Sequence, residues 1–252
     1  MMNKISAVII TLNEERNIGR CITSLQPVAD EVVVIDSLST DQTQAIAREL
    51  GARVVEQPFL GHIEQKNFAI EQATHDIILS LDADESLSPE LTKSILQVKQ
   101  RFDANGYSMN RLTNYCGQWI KHSGWYPDTK LRLFKKGEGQ WTGVNPHDKY
   151  ELNKGLKEVH LKGDLFHYSF YTIEEHINQV IKFSDISARA KFEKGIRSNW
   201  FKIAIKPIAR FVKSFILKAG FLDGYYGWII ARKSAWATYL KYTKLLKIQR
   251  ES

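Results

Sequence analysis

The sequence predicts an α/β fold, an open and largely parallel sheet covered by helices, with a helical and basic C-terminal appendage. Three observations carry this expectation. Short apolar runs alternate with segments of helical periodicity through the first third of the chain. Each apolar run closes on a polar or acidic residue, and the tail holds the surplus of positive charge.

Taken in order, residues 6–12 (Ser6-Ala7-Val8-Ile9-Ile10-Thr11-Leu12) form an apolar run of the kind buried on both faces of a parallel sheet, and the polar Asn13-Glu14-Glu15-Arg16-Asn17 follows. Residues 18–25 read as a helix leading to a second strand, Glu31-Val32-Val33-Val34-Ile35-Asp36. That strand also ends in an aspartate and a small polar turn, Ser37 to Asp41. Residues 40–50 place Ala45, Ile46 and Leu50 at helical spacing and stop at Gly51. A short strand over residues 53–56, a helix over 63–73 and an apolar strand over 77–81 follow, and the last delivers Asp82-Ala83-Asp84 with Glu85 behind it. This β-α-β-α order gathers polar side chains at strand C-termini, where open parallel sheets bind ligands.

Two carboxylates leaving one strand end suit a hard divalent cation, Mg²⁺ or Mn²⁺, whose remaining positions take diphosphate oxygens. No G-x-G-x-x-G follows the first strand and no G-x-x-x-x-G-K-[ST] occurs, so neither dinucleotide nor P-loop phosphate binding fits. Phosphate charge is then met by a metal on Asp82 and Asp84, with Lys66 as a supplementary cation. Asp36, ending a buried strand, needs a functional or capping partner to offset its desolvation.

Thr11-Leu12-Asn13-Glu14, the run from Val34 to Thr43, Gln65-Lys66-Asn67-Phe68-Ala69 and Leu81-Asp82-Ala83-Asp84-Glu85 stand in the order and spacing of family 2 glycosyltransferases, which the chain resembles over residues 11–85. The resemblance implies a GT-A fold, a Rossmann-like nucleotide-binding mixed sheet flanked by helices. It also implies an inverting mechanism and a UDP-sugar donor. Thr11, Asn13 and Glu14 would line the nucleotide pocket, Asp36 would accept a hydrogen bond from the base, and Lys66 would lie near the nucleotide. Asp82 would sit near the ribose and metal, and Asp84 would coordinate the metal. Relatives commonly carry a His-Glu pair where this chain has His147-Asp148, so Asp148, one methylene shorter, is the implied catalytic base. Glu151 is the alternative base, and His147 and His167 are further candidates for phosphate or metal contact.

Between these regions, residues 106–112 read as a strand, and Lys130-Leu131-Arg132-Leu133-Phe134-Lys135-Lys136 alternates as a half-exposed strand would. Tyr115, Trp119, Trp125 and Tyr126 offer faces for sugar stacking or material for a core. The 252 residues, with 43% hydrophobic and 25% charged side chains, are an ordinary globular composition. They accommodate a domain over 1–190 and an appendage over 191–252. Cys21 and Cys116 offer no disulfide framework, and the N-terminal segment reads as a strand rather than a leader, which suits a cytoplasmic enzyme.

The net charge of +7 is unevenly placed: residues 191–252 carry 14 Lys or Arg against 3 acids, a net of +11, which leaves 21 against 25, or −4, in residues 1–190. Lys202, Lys206, Arg210 and Lys213 form one helical stripe amid apolar neighbours, with Pro207 expected to kink or restart the helix. A further helix is expected over residues 228–248. The stripe is too charged to span a bilayer and suits an anionic membrane surface. Its apolar content and the lack of a nucleic-acid motif argue against nucleic acid as partner. Lys206-Pro207, Arg210-Phe211 and Gly220-Phe221-Leu222-Asp223-Gly224 resemble bacterial lipopolysaccharide and lipooligosaccharide core glycosyltransferases, including β-1,4-glucosyltransferases of the inner-core heptose. This narrower resemblance implies transfer of glucose from UDP-glucose to a lipid-anchored core oligosaccharide, by a peripheral protein on the inner face of the cytoplasmic membrane. Another surface polysaccharide or a polyprenyl-phosphate carrier is the alternative acceptor, and a non-catalytic sugar-binding module is the alternative of a different class.

Overall fold

The computed structural model describes residues 3–144 and 147–251, apart from the side chains of Val144 and His147. In chain order the elements are β1 (Ile5–Thr11), α1 (Ile18–Leu25), β2 (Glu31–Asp36), α2 (Thr43–Glu49), β3 (Arg53–Glu56), α3 (His62–Gln72), β4 (Ile77–Asp82), β5 (Glu85–Leu87) and α4 (Pro89–Gln100). They continue with β6 (Gly106–Tyr115), β7 (Gln118–Ile120), β8 (Asp128–Lys135), β9 (Gly139–Val144), β10 (His147–Leu152), β11 (Glu158–Phe170), α5 (Ile173–Glu193), α6 (Trp200–Val212) and α7 (Gly224–Glu251). Contacts group them into two units, one of Met1–Arg111 with Asp128–Tyr168 and one of Leu112–Pro127 with Ser169–Ser252. The charge boundary at residue 190 falls inside α5 and is a different partition of the chain.

The first unit is built on a sheet of order β3-β2-β1-β4-β8-β6-β11-β5. Strands β1 to β4 run parallel, β8 runs antiparallel to β4, and β6 antiparallel to β8. The apolar runs are continuous because both faces are buried. Ile9, Val34, Leu79 and Leu81 pack on one side with Ile22 and Leu25 of α1 and Leu91 of α4. Val8, Ile35 and Ile78 pack on the other with Ala69 and Ile70 of α3. Each fully buried aliphatic side chain contributes about 1.5–3 kcal/mol by leaving water. The parallel register then aligns the polar strand ends: Ile10 stands opposite Asp82, and Thr11 opposite Asp36.

Helix α2 starts later than its periodicity suggests, because the residues before it are spent on loop contacts. Thr40 N donates to Asn13 Oδ1 and Gln42 N to Glu15 Oε2. Helix α4 starts at Pro89, where a missing N–H costs nothing, and Ser88 Oγ accepts from Leu91 N. Strand β8 differs from the half-exposed strand expected at residues 130–136. Arg132 is only 2% exposed, because it shares the strand face of buried Phe134 and finds carboxylates there.

The second unit packs α5, α6 and α7 with the ends of β6 and β11. Helix α5 opens with a capping box in which Thr172 and Glu175 satisfy each other's backbone N–H groups. Tyr115 is fully buried among Ile120, Phe170 and Ile230, with Trp125 packed against them, so these two aromatics serve as core. Pro207 does not restart the helix: α6 runs through it to Val212 and widens into a π-helical turn over Lys213–Leu217. Helix α7 begins at Gly224, earlier than expected, and only the missing Cβ of Gly227 lets it lie against the carbonyl of Gly220. On α6, Phe201, Ile205, Ile208 and Val212 form an exposed apolar stripe at spacings of four, three and four. Among the described residues, no helix is long and apolar enough to cross a membrane.

Leu79 is fully buried in the centre of the sheet. Leu79→Ala should lower the free energy of unfolding by about 2–5 kcal/mol. Urea denaturation reads this, and a loss below about 1 kcal/mol would mean the site collapses around the deletion.

Candidate active site

The C-terminal ends of β1 and β2 carry two loops that are stitched together. Asn13 adopts a left-handed φ of 54°, which asparagine tolerates better than branched residues. Its N–H donates to Ser39 Oγ at 2.8 Å while its Oδ1 accepts from Thr40 N at 2.8 Å. Glu14 N donates to Thr43 Oγ1 at 2.8 Å. Asp36 is fully buried, with Oδ1 accepting from Ser39 N and Gln44 Nε2 and Oδ2 from Ser39 Oγ. A carboxylate offers about four lone-pair sites, so about one remains. Thr11 Oγ1 is buried and has no hydrogen-bond partner among the described residues.

Glu14 accepts from Asn17 Nδ2 at 2.7 Å, yet its carboxyl is raised from 4.5 to about 7. Burial is the main cause. The Asn17 hydrogen bond opposes it, and the negative charges of Asp84, Asp41 and Asp82 add to it.

The acidic turn after β4 is held by buried cations. Lys66 on α3 is 3% exposed, and its Nζ lies 3.0 Å from Asp82 Oδ1 and 2.7 Å from Asp148 Oδ2, over the Trp141 ring. Arg132 Nη2 reaches Asp82 Oδ2 at 2.9 Å and Glu85 Oε1 at 2.7 Å. Burial alone would raise the Asp82 carboxyl, but Lys66 and Arg132 outweigh it and hold the group well below the usual carboxylate range. Glu85, 1% exposed, takes a second cation from Arg111 at 3.3 Å, and its Oε2 accepts from Asp82 N at 3.0 Å. Asp84 points elsewhere: its Oδ2 lies 3.1 Å from His167 Nε2 on β11.

The structure thus brings Lys66, Asp82 and Asp148 into one cluster, with Asp84 beside His167 and the Thr11–Glu14 and Asp36 loops on the parallel strand ends. Glu151 is not part of it. Three residues along β10 from Asp148, it faces the other way and pairs with Lys149 and Thr142. The side chain of His147 lies outside the described residues. Sequence reasoning missed Arg132 and Arg111 as the cations behind the acidic turn. The available signal was phase: Arg132 lies two residues from Phe134, on the core side of an alternating strand. Among the described residues, no group of three or more His, Cys, Asp and Glu side chains could enclose a metal ion.

Parallel strands that end in a shared carboxylate cluster, continued by antiparallel strands carrying its counter-ions, are the GT-A arrangement of glycosyltransferases. The chain belongs to glycosyl transferase family 2, whose profile matches residues 6–162. An uncharacterized glycosyltransferase of Rickettsia typhi is 34% identical over 100% of this chain and 89% of its own length. The lipopolysaccharide core biosynthesis glycosyltransferase LpsC of Rhizobium meliloti is 29% identical over 96% of this chain and 91% of its own. A solved glucosyl-3-phosphoglycerate synthase from Mycobacterium tuberculosis, in complex with Mn²⁺, UDP and glucosyl-3-phosphoglycerate, is 27% identical with a TM-score of 0.38. That match covers 44% of each chain.

The raised Glu14 carboxyl sets a pH dependence. Its folded value of about 7 exceeds the ordinary 4.5, so its contribution to stability is complete below about pH 4.5 and is lost as pH rises through 7. Glu14→Gln removes that titration. The variant should lose less stability than the parent between pH 4.5 and 8, as measured by urea unfolding at each pH, and parallel profiles would contradict the assignment.

Proposed function

We propose that this protein is a metal-dependent inverting hexosyltransferase, moving glucose from UDP-glucose to a heptose of a lipid-anchored lipopolysaccharide or lipooligosaccharide inner core. The observation that carries the reading is the bridge from Lys66 to both Asp82 and Asp148, beside the Asp84–His167 pair. The likeness to a lipopolysaccharide core glycosyltransferase along most of the chain supports the acceptor class.

A divalent cation fits the donor set that the protein presents. Asp84 carboxylate and His167 imidazole suit Mn²⁺, and Mg²⁺ or Mn²⁺ with a nucleotide typically takes one or two protein ligands and fills the rest with phosphate and water. Asp82, whose charge Lys66 and Arg132 already balance, would sit near the ribose and metal, as the family resemblance implies. When bound, the cation neutralises the charge that develops on the diphosphate leaving group. The Thr11 hydroxyl has a hydrogen bond to give. Asn13 and Glu14 wall the nucleotide pocket, and Asp36 fixes the adjoining loop with about one lone pair left for a base N–H.

Asp148 acts as the base. Lys66 holds its Oδ2, which leaves Oδ1 to take the proton from the acceptor hydroxyl. The hydroxyl oxygen bonds to the anomeric carbon as the bond to the diphosphate oxygen breaks, UDP leaves with the electron pair, and configuration inverts. No covalent enzyme intermediate is needed.

Residues 1–190 would form the transferase portion and residues 191–252 a membrane-associating region. Support for the latter is the tail charge of +11, from 14 Lys or Arg against 3 acids, and the exposed apolar stripe of Phe201, Ile205, Ile208 and Val212 on α6. Such a helix lies in the interface plane, with each cation contributing about 1 kcal/mol at an anionic surface. On this reading the protein is peripheral, on the inner face of the cytoplasmic membrane.

UDP release measured with several nucleotide sugars and truncated core acceptors tests donor and acceptor together. No UDP release with any pair would leave a binding module instead, whereas release that does not depend on acceptor would overturn the acceptor assignment alone. Asp84→Asn should lower metal-supported transfer by on the order of a hundredfold or more in a folded protein. Full Mn²⁺-dependent turnover in that variant would remove Asp84 from the metal site. Asp148→Asn should retain UDP-sugar affinity, read by calorimetry, while transfer falls by about 10²–10⁴; near-normal transfer would assign the proton to another group.

A further inference from the structure

The turn that joins α6 to α7 leaves its large apolar side chains in solvent. Leu217, closing the π-helical turn, is 73% exposed, and Leu222, in the 3-10 turn Gly220–Asp223, is 61% exposed. Ile216 and Phe221 beside them are exposed as well, and exposed Tyr225 and Trp228 follow at the start of α7. Phe215 meets Phe221 edge to face at a centroid separation of 6.3 Å, so the two arms of the turn form one body. An apolar surface of this kind marks a place where the protein meets another apolar phase.

The polar groups of the same turn are turned inward and satisfied. Lys218 N donates to Lys213 O at 2.9 Å, Ala219 N to Ile216 O at 3.0 Å and Leu222 N to Ala219 O at 2.9 Å. The carbonyls of Lys218 and Asp223 accept from Ser123 N and Gln118 Nε2. Between Lys194 and Arg250 the sequence holds 13 Lys or Arg and a single acid, Asp223. That acid is only 4% exposed. Its Oδ1 accepts from Lys121 N and lies 2.9 Å from His122 Nδ1, and its Oδ2 accepts from His122 N and Ser123 Oγ. These partners fill its roughly four lone-pair sites. The turn therefore presents hydrocarbon and cations outward, and its one negative charge is held inside.

We infer that this turn penetrates the acyl layer of an anionic membrane, with Leu217, Phe221 and Leu222 in hydrocarbon and Tyr225 and Trp228 at the headgroup level. Irregular backbone enters a water-poor layer only when its N–H and C=O groups already have partners, and here they do. Aromatic rings with a polar edge settle at the interface, and Arg232 lies over the Trp228 ring at 4.3 Å, where its charge can meet lipid phosphate. Aliphatic tips that offer no hydrogen-bonding pattern suit fluid hydrocarbon better than a folded partner, and the surrounding cations match an anionic leaflet. The inference rests on the membrane-facing reading of residues 191–252 and adds to it an anchoring element outside the α6 stripe and a depth: insertion by the turn, beyond adsorption by charge.

Flotation of the full chain with vesicles of equal parts phosphatidylcholine and phosphatidylglycerol, at low salt and at about 1 M salt, tests this. At the higher salt the Debye length falls to about 3 Å and charge attraction is screened, so the inserted turn should keep the protein bound. The double variant Leu217→Gln, Leu222→Gln, made at exposed positions and checked for an unchanged melting temperature, should bind at least about tenfold more weakly at that salt. Wild-type protein stripped by salt, or a variant retained as well as the wild type, overturns insertion and leaves surface attachment by charge. Wild-type protein that never floats, even at low salt, overturns the membrane reading and the inference together. A phosphatidylglycerol monolayer compressed to bilayer packing gives a readout that needs no variant: the wild type should raise the surface pressure, and no rise overturns insertion. Light scattering that shows a dimer which the double variant dissolves would assign the turn to a second copy of the chain and overturn the inference.

Discussion

Putting carboxylates at the end of a buried sheet costs several kcal/mol per uncompensated charge, and the strands that follow β4 are arranged around meeting that cost. Asp82 and Glu85 share the guanidinium of Arg132, Glu85 also takes Arg111, and Lys66 spans Asp82 and Asp148. These cations come from α3, β6 and β8, so docking the antiparallel strands beside β4 is also what neutralises its acidic end. Glu85 closes the turn from within by accepting the Asp82 N–H. The turn is therefore tied down by its own ion pairs and a backbone hydrogen bond, and Asp84 is left to His167. Preorganisation of this kind is what electrostatic stabilisation of a leaving group requires.

The nucleotide side depends on a second constraint, the pairing of two loops that have little regular structure of their own. Asn13 with Ser39 and Thr40, Glu14 with Thr43, and Glu15 with Gln42 tie the loop after β1 to the loop after β2. Their anchor is the parallel register that sets Thr11 against Asp36. Asp36 spends most of its hydrogen-bonding capacity inside its own loop, so the carboxylate organises the wall of the proposed pocket more than it projects into it.

In the second unit the helices carry two kinds of unfinished surface. The outward stripe of α6 is apolar, whereas its cationic stripe lines a cavity with Lys241. Helical periodicity alone places both stripes, since spacings of three and four stay on one face. It does not say which neighbour each face meets. His176 shows the opposite outcome for a buried titratable group: burial, with Lys233 adding to it, lowers it to about 4, and the Tyr115 hydroxyl lies 2.9 Å from its Nδ1. That imidazole stays neutral in the folded protein at ordinary pH, and it serves the aromatic core.

The sequence by itself determined the parallel half of the sheet, because two-faced burial demands continuous apolar runs and these are visible without coordinates. It also placed Thr11, Asn13, Glu14, Asp36, Lys66, Asp82 and Asp84 on strand ends and on α3, since motif order and strand phase are local properties. The partners of those residues were decided by tertiary structure. Arg132 lies 50 residues from Asp82, His167 lies 83 from Asp84, and Asp148 lies 82 from Lys66, and no local pattern encodes which of several basic or acidic residues closes so long a loop. The choice between Asp148 and Glu151 as the residue facing Lys66 was settled the same way. A strand presents alternate residues to opposite faces, and only the packing of β10, with Tyr150 stacked on Phe134, fixed which face was inward.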